Sequence, residues 1–184
     1  MKNLFLIFLI LPSLLRSQEI SEDLVKVHLE MLSSDEMQGR KAGTAGIEKA
    51  AKYIESEFER IGLLKFDDKS SYRQGFKSQG LDLFNVIGFL KGRSKPEEIV
   101  VISAHYDHLG VNEKLKGDKI FNGANDNASG VTAVLAIAEY YSKKGTNERS
   151  LLFIAFTAEE MGLIGSKYFG TTIEPENYVA GINI

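Results

Sequence analysis

The residues best suited to chemistry fall into three short polar clusters. They are His105, Tyr106, Asp107 and His108; residues 122–129, with Asp126 inside Asn-Asp-Asn-Ala-Ser-Gly; and the adjacent Glu159 and Glu160. Each cluster has a plain reading of its own. A histidine after a strand is commonly a polar cap, Asp126 suits a turn or helix cap, and a Glu pair complements the dipole at a helix start. Taken together they read differently, because none of the three contains Lys or Arg and the carboxylates would repel one another if left bare. A divalent cation is the simplest neutraliser. Imidazole with carboxylates, in a chain without cysteine, suits a catalytic zinc, cobalt or manganese site rather than a thiolate-rich structural one. Asp107, close behind His105, is placed to accept the other imidazole proton and fix the tautomer. Glu159 and Glu160 cannot point the same way, so one can bind metal while the other reaches a water as general base.

The elements that must position these groups follow from apolar patterning. Unbroken apolar runs at 99–104 and 151–156 read as strands buried on both faces, with further strands at 84–90 and 178–184. Ser21 can cap a helix that carries Leu24, Val27, His28 and Met31 at helical spacing. A second helix spans 47–61, with Ala50, Ala51, Ile54, Phe58 and Ile61 on one face and Gly62 as its stop, and a third spans 128–142 with Val131, Leu135, Ala138 and Tyr141. Residues 33–46 are polar and glycine-rich, and residues 65–80 read as a polar loop. No partner is evident for His28, which reads as solvated or at the core edge. The alternation predicts an α/β fold: a three-layer α/β/α sandwich around a mixed, largely parallel sheet. Ligands of such sheets bind beyond the carboxyl ends of the strands, so the three clusters should converge there.

Composition narrows the classes. The 184 residues carry 22 Lys+Arg against 25 Asp+Glu, a net charge of -3, with 43% hydrophobic and 26% charged residues. That balance describes one folded domain with no electrostatic footprint for nucleic acid. Lys2 precedes an apolar run from Leu4 to Leu15, followed by Arg16, Ser17 and Gln18. This is the layout of a secretory signal over residues 1–17, with the catalytic domain occupying 18–184. The expectation is an exported protein, periplasmic or extracellular, without a stable membrane span after cleavage. The strand pattern at 178–184 runs to the last residue, so the fold is expected to be incomplete at its carboxyl end.

Ala104-His105-Tyr106-Asp107-His108-Leu109-Gly110, then Asn122 to Gly130, then Ala158-Glu159-Glu160-Met161-Gly162 resemble three successive motifs of the secreted bacterial di-zinc aminopeptidases. That family, peptidase family M28, also embraces aminopeptidase Y, glutamate carboxypeptidase and glutaminyl cyclase. The earlier stretch from Leu32 to Arg40, continuing through Gly43-Thr44-Ala45-Gly46, resembles its lead-in. The resemblance implies two zinc ions and peptide substrates. His105 would bind one zinc, Asp126 would bridge both, Glu160 would bind the other, Glu159 would be the general base and Asp107 would orient its neighbours. It also implies an Asp just after the 178–184 strand and a later His, both beyond Ile184. His108 does not match either, and the chain as it stands is expected to be inactive. Two other readings are a single-zinc glutaminyl cyclase and a catalytically inactive ectodomain or fragment. Asn125 to Gly130 looks more like the peptidase version.

Overall fold

The unbroken apolar run Leu151–Phe156 puts its strand, Arg149–Phe156, in the middle of the sheet, and everything else is arranged around that strand. The computed structural model describes residues 20–68 and 70–184, so the signal segment expected over 1–17 lies outside the described residues. In chain order the elements are α1 (Glu22–Leu32), α2 (Ala45–Ile61), β1 (Leu64–Lys65), β2 (Arg73–Ser78), β3 (Leu81–Leu90), β4 (Lys95–His105), β5 (Gly110–Val111) and β6 (Ile120–Phe121). They continue with α3 (Ser129–Lys144), β7 (Arg149–Phe156), α4 (Ile164–Gly170) and β8 (Tyr178–Asn183). The main sheet has the order β1-β3-β7-β4-β8, with β2 also paired to β3. Only β3 runs against the others, because β4, β7 and β8 are mutually parallel and β1, β2 and β7 are each antiparallel to β3.

Alternate residues of β7 face two cores. Leu151, Phe153 and Ala155 pack with α1, α2 and α3, while Leu152, Ile154 and Phe156 pack against Phe169 of α4. This gives the expected three layers, the second helical layer being the thinner. β4 departs from the expectation of burial on both faces, since Ile99, Val100 and Val101 are only half-buried. Its outer neighbour β8 is largely exposed, and an apolar cavity of about 640 Å³ opens between α3 and the sheet, lined by Val100, Ile102, Ile137, Tyr140 and Ile182.

Local signals set most boundaries. The Ser21 hydroxyl accepts from the Leu24 amide at 3.4 Å, and Gly62 ends α2 in the left-handed conformation with φ of 83°. The stretch expected to be a loop over 65–80 contains β2, paired with β3 through Phe76 opposite Leu83. Its strand character comes from that hairpin rather than from apolar side chains. Gln79 and Gly80, with φ of 48° and 78°, make the tight turn, and Arg73 is held by Glu48 and Glu55 above the ring of Phe84.

His28 is not solvated, and it does have a partner. It is buried between helices, with Nδ1 2.6 Å from the Tyr53 hydroxyl and Nε2 4.0 Å from the Glu57 carboxylate. Burial, outweighing the pull of Glu57, holds its pKa below the ordinary histidine value. The unfolded chain therefore binds a proton at His28 that the folded chain resists. Stability is full above about pH 6.5 and falls as the pH drops below it. The melting temperature should decline as pH is lowered from about 7.5 to about 5.5, and His28→Gln should flatten that decline. An unchanged slope in the variant would show that other groups carry it.

Candidate metal centre

β4 leads through α3, on one face, to β7 on one side of it, and β7 leads through α4, on the other face, to β8 on the opposite side. The carboxyl ends of these parallel strands therefore share one edge, and the chain diverges there in the manner that opens a ligand crevice. His105 is the last residue of β4, Asp126 lies in the irregular turn that leads into α3, and Glu159 and Glu160 follow β7.

The three clusters do converge. His105 Nε2 lies 3.0 Å from one carboxylate oxygen of Asp126, whose other oxygen is 3.9 Å from His108 Nδ1. The same His108 nitrogen is 2.8 Å from Glu160 Oε1. One donor atom each from His108, Asp126 and Glu160 fall within 4.8 Å of one another. Asp126 thus presents its two oxygens to two different groups of donors.

Asp107 is wholly buried, and its carboxylate holds a different partner from the imidazole that its spacing suggested. Its carboxylate accepts from the backbone amides of Glu159, at 3.0 Å, and Glu160, at 3.2 Å. The imidazole of His105 meets the backbone carbonyl of Asp107 at 3.1 Å, with the carboxylate at 3.6 Å. One aspartate therefore ties the end of β4 to the Glu159–Glu160 turn. Burial pulls the pKa of His105 down, but Asp107, Glu159 and Asp126 together raise it above the ordinary histidine value.

The Glu159–Glu160 turn is tightly built and is not the first turn of a helix. Ala158 and Leu163 are left-handed, with φ of 54° and 62°. Buried Asn85 accepts from the Thr157 amide and donates to the Gly165 carbonyl. Gly165 cannot carry a side chain, because a Cβ there would lie 2.3 Å from the Thr157 carbonyl oxygen. The two glutamates diverge as expected: Glu160 turns to His108, whereas Glu159 lines a cavity of about 420 Å³ together with His105, Phe156 and Leu163.

His108, named with the first polar cluster but given no ligand role by the family resemblance, joins the donor cluster. One participant escaped the sequence reading altogether. Arg40 corrects the expectation of a site without a basic neighbour. Its buried guanidinium donates to the carbonyls of Tyr106 at 2.9 Å, Asn122 at 2.6 Å and Gly123 at 2.9 Å, and also to that of Leu32. Burial lowers its pKa to about 10, against the opposing charges of Asp107 and Asp126. It lies 66 residues before Tyr106, so spacing alone did not connect it to the site.

Oxygen and imidazole donors gathered around a shared carboxylate, with no cysteine in the chain, fit a divalent cation of borderline hardness. The sequence profile of Peptidase family M28 matches residues 85–184, the segment that holds every site residue above except Arg40. Aminopeptidase YwaD of Bacillus subtilis (strain 168) is 33% identical over 116 residues, covering 59% of this chain and 23% of that protein. The chain spans less than a third of the length of such curated relatives. Among solved structures, BSAP, a zinc aminopeptidase from Bacillus subtilis, superposes with a TM-score of 0.72 at 16% identity over 91% of this chain and 70% of that one. Porphyromonas gingivalis glutaminyl cyclase superposes with a TM-score of 0.69 at 19% identity over 89% of this chain and 60% of that one. At such identities the two likenesses establish a shared fold.

Proposed function

This chain belongs to peptidase family M28, and from that membership and the geometry of the site we propose that it serves a zinc-dependent aminopeptidase that removes amino-terminal residues from peptides. The observation that carries the proposal is the double-sided Asp126, with His105 on one oxygen and the His108 and Glu160 donors near the other. In this reading His105 and Asp126 hold one zinc, and Asp126 and Glu160 hold a second. The family resemblance implies an Asp and a His as further ligands. Bound zinc supplies a Lewis acid that polarises a carbonyl and makes water more acidic.

The chain's own residues supply the rest. Glu159, facing the cavity beside His105, accepts a proton from the attacking water and delivers it to the leaving amine. Asp107 holds the amides of both glutamates, so the base and the ligand keep their divergence. The proposed location is outside the cytoplasm, on the strength of the signal-like residues 1–17. Among the described residues no helix is long and apolar enough to cross a membrane.

The test pairs metal analysis with product analysis. Protein carrying the complete ligand set should retain about two zinc ions after dialysis and release amino-terminal residues from peptides with a free amine. Acetylated peptides should be left intact. One zinc ion, with pyroglutamyl product from peptides that begin with Gln, would replace the peptidase reading with the cyclase one.

A further inference from the structure

Arg40 is among the largest fully buried side chains, and no step proposed above uses it. Burying a guanidinium is costly unless its donors are satisfied, and here backbone carbonyls from separate parts of the chain satisfy them. Tyr106 sits between His105 and Asp107, while Asn122 and Gly123 begin the turn that carries Asp126. Arg40 also accepts on its own carbonyl from the His108 amide at 3.2 Å. Its donors and its acceptor thus brace both segments whose side chains meet at Asp126.

The backbone that delivers Arg40 is strained in a consistent way. Gln38, Gly39 and Arg40 are successive left-handed residues, with φ of 50°, 62° and 48°. A Cβ on Gly39 would lie 2.5 Å from the Gly110 carbonyl oxygen and 2.6 Å from that of Phe121. Such strain persists only where the surroundings over-determine it. Here it turns the Arg40 side chain inward beneath the site.

We propose that Arg40 is a positioning residue that sets the separation of His105 from Asp126 through the carbonyls of Tyr106, Asn122 and Gly123, and so determines metal affinity. The inference rests on the zinc reading above. It makes a prediction opposite in sign to a purely electrostatic role. Removing a positive charge near Asp107 and Asp126 would by itself tighten cation binding, whereas releasing the two segments loosens it.

Zinc affinity, read by competition with a coloured chelator, separates these roles in Arg40→Met and Arg40→Lys. Lysine keeps the charge but cannot reach several carbonyls with a rigid fork. Both variants should weaken zinc binding by about 10- to 100-fold, and the visible spectrum of bound Co²⁺ should change. Unchanged or tighter binding with an unaltered Co²⁺ spectrum would overturn the proposal, even if the melting temperature falls. Should Arg40→Met fail to fold, Arg40→Lys decides. In the unaltered protein, zinc should also shift the Arg40 Nε resonance, and the absence of any shift counts against the proposal. Unaltered protein that takes no zinc at all would remove the metal reading and this inference with it. Zinc bound equally by the unaltered protein and both variants removes only the inference.

Discussion

Glu159→Gln is expected to slow peptide hydrolysis by about 100-fold or more while leaving zinc content unchanged. Glutamine keeps the size of the side chain and its capacity to hydrogen-bond, but it cannot take a proton from water. The argument depends on the divergence of the two glutamates. Glu159 faces the cavity beside His105, and Glu160 turns to His108 near the second oxygen of Asp126. Glu160→Gln should accordingly lower zinc occupancy. Turnover and metal content measured on both variants decide the assignment. If Glu159→Gln loses metal while Glu160→Gln keeps it and is merely slow, the two roles are reversed. If neither change affects hydrolysis, the active-site reading fails.

Asp126→Asn should have the largest effect on metal. Loss of a residue that only supports a ligand costs about 10- to 100-fold in affinity, so loss of a carboxylate shared by two ions should exceed about 100-fold. The fold should scarcely notice. The Asp126 side chain is 59% exposed, and substitutions at such positions usually stay within about 0.5 kcal/mol. Calorimetric zinc titration and thermal unfolding in the presence of chelator measure the two effects separately. Undiminished zinc binding by Asp126→Asn would refute a shared carboxylate.

What was legible in the sequence was what neighbouring residues decide among themselves. Gly62 ends α2 because a left-handed residue is needed there, and the unbroken apolar residues of β7 read as a buried strand because both faces are covered. The meeting of His105, Asp126 and Glu160 at one edge followed from topology, since each comes directly after a parallel strand or before a helix. What was not legible depends on partners far along the chain. β2 offers no apolar alternation, and its Arg73 is made tolerable by Glu48 and Glu55 of α2. The setting of His28 depends on Tyr53, 25 residues later. Arg40 meets its acceptors only once α1, the end of β4 and the approach to Asp126 have come together.

The exposure of β8 reaches beyond the site. Tyr178, Val179, Ala180, Gly181, Ile182 and Asn183 include no charged residue and no proline, and among the described residues the strand pairs only with β4. Val179, Ile182 and Ile184 stand exposed along it. Sheet edges normally refuse company through a lysine, a proline or a bulge that twists the strand away. β8 has neither lysine nor proline, its pairing with β4 shifts register at Val179, and its outer side offers amides and carbonyls flanked by apolar side chains. Such an edge is a template on which one more strand can pair, through backbone hydrogen bonds rather than side-chain recognition.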